Sequence, residues 1–232
     1  MPSQPPPDRA LDRARAYFEA FAVEYDAAAT EAGWMPNDLL ADALTRMSPV
    51  WDALDLGCGT GSTLAVVRAA FPDADLTGID LSPAMLERAC SRVPDARYVH
   101  ADVGAFAADA AHAATNHAAG GDARFDLVTA VGGLEFTADA PAILADVRHL
   151  VRPGGHLIVT YEPIIVGWEP QAVRTETNLG SNGLELTTFR WEPGEVTAGF
   201  DGWHPVRNRL VVAYRRDGLP TVYGWLHYRR GD

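Results

Sequence analysis

Apolar and polar positions follow two different periods along this chain, and the change between them predicts its elements. From residue 51 onwards, short apolar runs alternate with longer segments in which apolar residues recur every three to four positions. The runs predict strands at residues 53–56, 75–79, 97–100, 126–131 and 156–161. The longer segments predict helices that end at residues 70 and 91, and helices over 103–114 and 140–150. Because strands separated by helices form parallel crossovers, the pattern predicts an open, doubly wound α/β fold.

The two ends of the chain depart from this alternation. Before residue 51, apolar residues at helical spacing predict one helix over 8–22 and a second that reaches residue 47. After residue 161, an irregular stretch at 162–189 comes before two β-rich runs, 207–215 and 221–229, joined by turn-forming residues. Such a tight link predicts an antiparallel hairpin. We therefore predict one structural domain whose seven-stranded, mostly parallel sheet ends in a C-terminal antiparallel hairpin.

Composition narrows the chemistry. The 232 residues suffice for one well-buried domain. All 19 of the Lys+Arg residues are Arg, which excludes a Schiff-base lysine, a P-loop lysine and a catalytic lysine base. The net charge of -12 and the lack of an Arg-dense run argue against a nucleic-acid partner and against an acidic membrane surface.

Targeting and metal-binding signals are missing from the sequence. The proline-rich residues 1–7 lack the apolar core of a signal peptide, and no later apolar run reaches the length of a membrane span. We therefore expect a cytoplasmic protein. Cys58 and Cys90 are too few for a disulfide framework or a CxxC metal site, and we expect no metal.

The most informative segment is DLGCGTG at residues 55–61, between the first predicted strand and its helix. Closely spaced glycines let the backbone turn sharply and approach a ligand beside the free N–H groups of a helix N-terminus. The spacing is G-x-G-x-G, whereas the dinucleotide fingerprint G-x-G-x-x-G needs a glycine where Ser62 stands. Asp55, inside the strand, is placed to accept hydrogen bonds from a ligand ammonium group.

Two further acids follow the next two predicted strands. Asp80 stands about 20 residues after the glycine loop, where a carboxylate accepts hydrogen bonds from both hydroxyls of a ribose. Asp102 ends the third strand, where it can accept a hydrogen bond from an adenine amino group. Either acid alone is explained as well by a helix N-cap. A glycine loop and two acids at three neighbouring strand tips together predict a nucleoside-binding site.

These residues resemble the class I S-adenosylmethionine-dependent methyltransferases, and the resemblance covers most of the chain. It includes the fourth-strand segment FDLVTAV at 125–131, and the segment LVRPGGHL at 150–157 is similar to the family's turn before strand five. The terminal hairpin resembles the family's antiparallel sixth and seventh strands. Upstream, FAVEYD at 21–26 is similar to the segment that closes over the cofactor in many small-molecule members. The resemblance therefore implies the Rossmann-like form of the predicted fold.

The resemblance also implies a cofactor, S-adenosyl-L-methionine, and a product, S-adenosyl-L-homocysteine. It implies that the glycines line the methionyl part, that Asp80 holds the ribose, and that Asp102 lies at the adenine. It divides the domain into N-terminal helices over residues 1–50 that cover the cofactor site and a methyltransferase part over 51–232, with a substrate segment at about 162–206. The implied cofactor-binding residues are Tyr25, Asp55, Gly57, Cys58, Gly59, Gly61, Asp80, Leu81, Met85, Asp102, Val103 and Val131.

Methyl transfer from a sulfonium is a displacement on an already activated methyl group, so alignment and exclusion of water can supply most of the acceleration. A base is needed only where the acceptor must lose a proton. Glu135 and Tyr161 are the candidate catalytic residues, because both lie at the sheet edge where ligands bind. Glu135 can instead be a carboxylate that faces solvent at a helix N-terminus. Tyr161 can instead be a packing residue at the end of its strand.

The substrate segment contains aromatic and cationic side chains that suit an acceptor pocket. Aromatic rings fit a flat or apolar acceptor, and a guanidinium group can hold a carboxylate with two parallel hydrogen bonds. The same residues also have ordinary explanations: the two Trp residues can belong to the core, and the two Arg residues can lie on the surface. The candidate substrate-binding residues are Trp168, Arg174, Arg190 and Trp191.

Three functions remain open from the sequence. The first is methyl transfer to an O, N or carboxylate acceptor on a small molecule, by a monomer or homodimer. The second is a protein that binds S-adenosylmethionine for a regulatory or structural purpose without methyl transfer. The third, a nicotinamide dehydrogenase, is opposed by the glycine spacing and the terminal hairpin. A nucleic-acid acceptor is disfavoured by the charge and by TAVG at 129–132 in place of an Asn/Asp-Pro-Pro-aromatic tetrapeptide.

Overall fold

A single seven-stranded sheet organises the chain in the computed structural model, which describes residues 7–115, 125–180 and 182–231. The strands are β1 Asp52–Leu56, β2 Asp75–Asp80, β3 Arg97–His100, β4 Phe125–Ala130, β5 Val151–Tyr161, β6 Thr175–Leu179, β7 Glu185–Phe189, β8 Trp203–Arg216 and β9 Leu219–Arg230. The order in the large sheet is β3-β2-β1-β4-β5-β9-β8, and β6 and β7 form a separate two-stranded sheet. β1 to β5 are parallel, whereas β9 is antiparallel to both of its neighbours. The predicted fold class is confirmed.

Helices connect the parallel strands and precede the first of them. They are α1 Pro7–Phe21, α2 Tyr25–Glu31, α3 Pro36–Leu44, α4 Ser62–Ala70, α5 Pro83–Arg92, α6 Val103–Thr115, α7 Ala140–Val147 and α8 Pro193–Thr197. Local sequence fixes several starts: the side chain of Ser82 accepts the Met85 N–H at 3.2 Å, and a proline stands in the first turn of α3, α5 and α7. None of the described helices is long and apolar enough to cross a membrane.

The core lies on both faces of the sheet, because alternate residues of each strand point to opposite sides. Leu54 and Leu56 of β1 pack with α6 and α7 on one face, whereas Ala53 packs with α3 and α4 on the other. β5 repeats this division, with Leu157 on the first face and Ile158 on the second. Buried on both sides, these strands read as nearly continuous apolar runs, which is why the sequence pattern located them.

The terminal hairpin confirms the predicted pair of antiparallel strands. Its turn consists of Asp217 and Gly218, which have φ angles of 50° and 79° and therefore match a two-residue hairpin turn with both residues left-handed. The outer strand, β8, lies at the sheet edge. The inner strand, β9, pairs with β5 from His156 opposite Arg229 to Tyr161 opposite Gly224.

Three expectations about elements need correction. The stretch 162–189 is not irregular throughout, because it contains the antiparallel pair β6 and β7. α2 was not predicted, since none of its seven residues is buried and an apolar period is therefore missing. β5 begins at Val151 rather than at residue 156, and a register shift between Phe125 and Leu127 of β4 accommodates its early glycines. The proline-rich residues 1–6 lie outside the described part of the chain.

Candidate functional site

A cavity of about 460 Å³ lies at the carboxyl ends of the parallel strands. Gly57 follows β1, Asp80 ends β2, Asp102 follows β3 and Val131 follows β4, and all four line the cavity. The N-terminal helices supply the opposite wall, including Phe18 of α1 and residues of α2. Parallel strands end at one edge of a sheet, so residues far apart in the sequence meet here, as expected for a ligand site in such folds.

The glycine loop has two separate functions in this geometry. Gly59 lines the cavity and donates its N–H to Asp80 Oδ2 at 2.8 Å. Gly61 has a φ angle of 79°, and a Cβ built on it would lie 3.0 Å from the Cα of Ala89 in α5. Gly61 therefore lets the start of α4 pack closely against α5, and it is not among the residues that line the cavity.

Asp80 is fixed at the mouth of the glycine loop. Its Oδ2 accepts the Gly59 N–H, and its Oδ1 accepts the Ser82 N–H at 2.9 Å. Burial raises the pKa of Asp80, while these backbone hydrogen bonds act in the opposite direction. The carboxylate thus joins the tip of β2 to the loop after β1 and still borders the cavity.

Asp102 is both a helix N-cap and a residue at the cavity, the two roles that the sequence left open for it. Its Oδ1 accepts the Ala105 N–H at 2.8 Å, which is the hydrogen bond of a helix N-cap on α6. The same residue lines the cavity together with Val103. Four other predicted cofactor-binding residues also border the cavity: Cys58, Leu81, Met85 and Tyr25.

Asp55 is buried beneath the loop rather than exposed on the cavity surface. Its Oδ1 accepts the hydroxyl proton of Thr129 at 2.7 Å, and its Oδ2 has no hydrogen-bond partner among the described residues. Burial raises the pKa of Asp55 to about 7, and the neighbouring charge of Asp80 acts in the same direction. A buried carboxyl oxygen without a donor is a site that a cationic ligand group would stabilise.

An ionic contact joins α2 to the glycine loop, and it was not anticipated from the sequence. Asp26 Oδ1 accepts the hydroxyl proton of Thr60 at 2.6 Å, and Asp26 Oδ2 accepts from Arg92 Nη2 at 2.7 Å. Arg92 also donates through Nη1 to the carbonyl oxygen of Thr60 at 2.7 Å. Since Thr60 belongs to the loop and Arg92 to α5, one carboxylate ties the covering helix to both.

A second acid ties α1 to the same region. Glu19 Oε2 accepts the hydroxyl proton of Ser82 at 2.7 Å and the Ala84 N–H at 3.1 Å. A carboxylate at the start of α5 is also favoured by the partial positive charge of the helix N-terminus. The segment FAVEYD at 21–26 includes Asp26, but no sequence pattern identifies the partners of Glu19 or Asp26, because those partners lie more than 30 positions away.

Aromatic rings form much of the remaining wall. Phe18 and Phe136 meet edge to face with centroids 4.9 Å apart, and both border the cavity with Tyr25 and Trp34. Trp34 lies against Gly132, where a Cβ would come within 2.6 Å of the indole ring. The glycine after β4 thus makes room for Trp34, which the sequence did not single out.

The two candidate catalytic residues lie behind the cavity wall, and neither is among the residues that line it. Glu135 is buried and accepts a short hydrogen bond from the Tyr223 hydroxyl through Oε1, whereas Oε2 has no partner among the described residues. Burial raises the pKa of Glu135 to about 8. Tyr161 packs its ring across Gly224, and burial raises its pKa to about 12. Their catalytic roles stay predictions.

None of the four candidate substrate-binding residues lines the cavity. Arg190 is 2% exposed and donates through Nε to Glu162 Oε2 at 2.8 Å and through Nη2 to Glu176 Oε2 at 2.7 Å. Arg174 pairs with Glu195 at 2.9 Å on the surface. The guanidinium group of Arg174 also lies 5.5 Å from the ring centre of Trp191.

The contacts of Arg190 join β6 and β7 to the end of β5. Arg174 has the surface placement and Trp191 the packing that the sequence left open, whereas surface placement was wrong for Arg190, which is buried in ion pairs. Trp168, which precedes a short turn of 3-10 helix, has a buried indole N–H without a partner among the described residues. No group of three or more metal-ligating side chains lies together in the described ranges.

Comparisons with known proteins agree with this geometry. A family model described as "Methyltransferase domain" matches residues 54–157. The trans-aconitate 2-methyltransferases of Methylobacterium radiotolerans and Enterobacter sp. are 36% and 37% identical over 107 and 121 residues, which are 46% and 51% of this chain. The matches cover 36% and 43% of those two proteins, so the chain spans less than half the length of these curated relatives.

A solved structure extends the likeness to the whole chain. It is the 1,6-didemethyltoxoflavin-N1-methyltransferase of Burkholderia thailandensis with bound 1,6-didemethyltoxoflavin and S-adenosylhomocysteine. The TM-score is 0.64 and the identity 19%, over 100% of this chain and 93% of that one. At this identity the similarity is one of fold.

Proposed function

We propose that the chain is a class I S-adenosylmethionine-dependent methyltransferase, which binds S-adenosylmethionine in the cavity and transfers the methyl group to a small molecule; the match to a methyltransferase family model, the relatives and the shared fold support this. One observation carries the proposal. The glycine loop, the fixed carboxylate of Asp80 and the side chain of Asp102 converge on one cavity at the carboxyl ends of β1, β2 and β3. This is where open α/β sheets bind nucleosides.

The residues present fit that cofactor. We propose that Asp80, held by two backbone N–H groups, accepts the ribose hydroxyls, and that Asp102 and Val103 bind the adenine. The unpartnered Oδ2 of Asp55 suits the ammonium group of the methionyl part, because a nearby cation stabilises a buried carboxylate. The glycine loop would then lie along the methionyl chain without Cβ clashes.

When bound, the cofactor supplies a methyl group on a positively charged sulfur, which passes to the acceptor while the C–S bond breaks and its electron pair goes to sulfur. The chain's residues bring the acceptor into line and keep water out. Phe18 and Tyr25, on the helices that cover the cavity, are placed to exclude water. We propose Glu135 as a residue that receives an acceptor proton when it is ionised, since its Oε2 has no protein partner among the described residues. Its pKa of about 8 makes the ionised form the main one only at higher pH.

We propose a small molecule rather than a nucleic acid as acceptor, because the net charge of -12 would repel phosphate groups. The second candidate function is binding of S-adenosylmethionine without methyl transfer. Measurement of methyl transfer from labelled S-adenosylmethionine to a metabolite library separates the two. Labelled product supports the enzyme, whereas cofactor binding with no labelled product across the library favours a binding protein.

The first experiment tests the cofactor site itself. Titration calorimetry with S-adenosylhomocysteine is expected to show binding, and Asp80→Ala is expected to weaken it by about tenfold or more, because two hydroxyl hydrogen bonds to a charged group are lost. Asp75→Ala is the matched control on the same strand, since Asp75 is exposed at the other end of β2. NADH binding without S-adenosylhomocysteine binding would contradict the proposal.

A further inference from the structure

The cavity offers an acceptor no unpaired positive charge among the described residues that line it. Among the described residues that line it, the acids are Asp26, Asp80 and Asp102, and Arg92 is the single cationic side chain. Arg92 is already engaged, because its guanidinium donates to Asp26 Oδ2 at 2.7 Å and to the carbonyl and hydroxyl oxygens of Thr60 at 2.7 and 2.8 Å. An acceptor carboxylate would enter without a free cation to pair with it.

Arg216, which stacks near the rings behind the cavity wall, is also engaged. Arg216 donates to the Tyr214 hydroxyl at 2.9 Å, and its guanidinium lies 5.8 Å from the centre of the Tyr214 ring. Arg216 is not among the residues that line the cavity. Glu162 and Glu135 both lie close enough to interact electrostatically with the charge of Arg216.

The wall that remains is flat and aromatic. The Trp34 indole ring lies over Gly132 and is held from behind by the rings of Tyr214 and Tyr223, with centroids 6.0 and 5.9 Å away. A ring fixed in this way loses little conformational entropy when a second ring stacks on it. Phe18 and Phe136 face the same cavity.

A buried acid stands directly behind this wall. Glu135 follows Gly133 and precedes Phe136, both of which border the cavity, and its Oε2 has no partner among the described residues. Because burial raises the pKa of Glu135 to about 8, its carboxyl group is mostly neutral at pH 7 and adds no positive charge to pair with an acceptor carboxylate. An N–H group is the kind of donor that its free oxygen can accept.

We propose that the methyl acceptor is a flat ring without negative charge, neutral or protonated, that stacks on Trp34, and that carboxylates are rejected. This inference rests on the proposed function. It separates the chain from its relatives named trans-aconitate 2-methyltransferase, whose named substrate is a non-aromatic carboxylate. In the transfer step, the lone pair of a ring nitrogen or oxygen in its unprotonated form would form the bond to the methyl carbon as the C–S bond breaks, the C–S electron pair would go to sulfur, and any proton on the attacking atom would pass to solvent.

The experiment compares probes that share one ring and differ in charge. The full chain, saturated with S-adenosylhomocysteine, is titrated with 4-aminoquinoline, 4-hydroxyquinoline, quinoline-4-carboxylate and trans-aconitate. The amino and hydroxy probes are expected to bind about tenfold or more tightly than the two carboxylates. Trp34→Leu should weaken 4-aminoquinoline by about fivefold, the effect of one lost aromatic contact, while Trp51→Leu should not. Trp51 is the matched control because it is 63% exposed and lies outside the cavity lining.

The outcomes distinguish the two proposals. If the wild-type chain fails to bind S-adenosylhomocysteine, the proposed function falls before any acceptor is tested. If it binds the product but takes either carboxylate as tightly as the amino probe, or binds none of the quinolines, the acceptor class is wrong. If the Trp34→Leu variant does not fold, the comparison of the four probes on the wild-type chain still tests the proposal.

Discussion

Asp55 Oδ2 is buried and has no hydrogen-bond donor among the described residues. This one oxygen makes Asp55 both a candidate for binding a cationic ligand group and a residue that destabilises the fold when it ionises. The pKa of Asp55 is raised to about 7, so the folded state holds a proton that the unfolded chain has released by pH 5. For an acid with a raised pKa, stability is therefore lost as the pH rises from about 4 to 7. A bound ammonium group would remove this cost by pairing with the ionised carboxylate.

Replacement of Asp55 by asparagine tests this at the residue scale. The asparagine side chain keeps an oxygen for the Thr129 hydroxyl but cannot ionise. We expect Asp55→Asn to raise the free energy of unfolding at pH 8 by about 1–3 kcal/mol, and to change it little at pH 5, where Asp55 itself is neutral. Urea unfolding at both values measures this difference. Binding of S-adenosylhomocysteine should fall in the same variant.

An equal effect of Asp55→Asn at pH 5 and pH 8 would show that the carboxyl group does not ionise in the folded state. A variant that is more stable and still binds the product normally would show that Asp55 does not hold the ammonium group. Asp52→Asn, at the start of the same strand, is the control, although it removes an exposed pair with Arg152.

Single residues differ in how well the sequence located them. Gly59, Asp80 and Asp102 were placed at the site by motif and strand position, because the tips of parallel strands must meet. Arg190 could not be placed in this way. Its charge pairs with Glu162 and Glu176, and those pairs depend on how β6 and β7 fold back on β5.

At the scale of elements, two acids hold the N-terminal helices on the cavity. Asp26 joins α2 to Thr60 and Arg92, and Glu19 joins α1 to the first turn of α5. α2 has no buried residue of its own, and its Tyr25 ring meets the Phe18 and Phe21 rings of α1 edge to face. The polar contacts of Asp26 therefore have a larger share in holding α2 than they would in a well-buried helix.

Loss of the Asp26 contact should loosen the cover without unfolding the sheet. We expect Asp26→Asn to increase amide hydrogen exchange in α1 and α2 and to raise the dissociation rate of S-adenosylhomocysteine about three- to tenfold, since one partly exposed ionic contact contributes about 1 kcal/mol. Exchange in β1 and β4 should stay unchanged. Glu31→Gln, an exposed acid at the end of α2, is the control. Protection of α1 and α2 equal to the wild type would contradict this role of Asp26.

The elements that the sequence missed give weak periodic signals. None of the residues of α2 is buried and β6 is mostly exposed, so the contrast between buried and exposed positions is weak in both. β7 has three consecutive buried residues, Thr187 to Phe189, and therefore lacks the alternation of a half-buried strand. Hydrophobic periodicity depends on burial, and it located the strands that are covered on both sides while missing these elements.

At the scale of the whole molecule, a histidine pair gives stability an acid-sensitive contribution. His156 Nδ1 and His227 Nε2 are 2.9 Å apart on β5 and β9. Burial lowers the pKa of His227 to about 4, and His156 and Arg207 act in the same direction; burial and Arg229 also lower the pKa of His156. Because protonation is disfavoured in the folded state, this stability is full above about pH 6.5 and is lost as the pH falls toward 4.

The His227→Gln variant separates this contribution from the others. We expect it to be less stable than the wild type at pH 7.5, where the hydrogen bond between the two rings is lost. The difference should shrink by about 1–2 kcal/mol at pH 5, because the variant no longer resists protonation at this position. Thermal unfolding at both pH values measures it, with the exposed His204→Gln as control. A difference that is constant with pH would exclude the pair as the source.

The position of β9 between β5 and β8 also has a consequence for the edge of the sheet. The two-residue turn at Asp217 and Gly218 keeps β8 and β9 together as one local hairpin. β5 pairs with β9 from His156 to Tyr161, so without the hairpin β5 would be an unpaired edge strand that contains the apolar Leu157 and Val159. The hairpin therefore protects the parallel part of the sheet from edge-to-edge association with other chains.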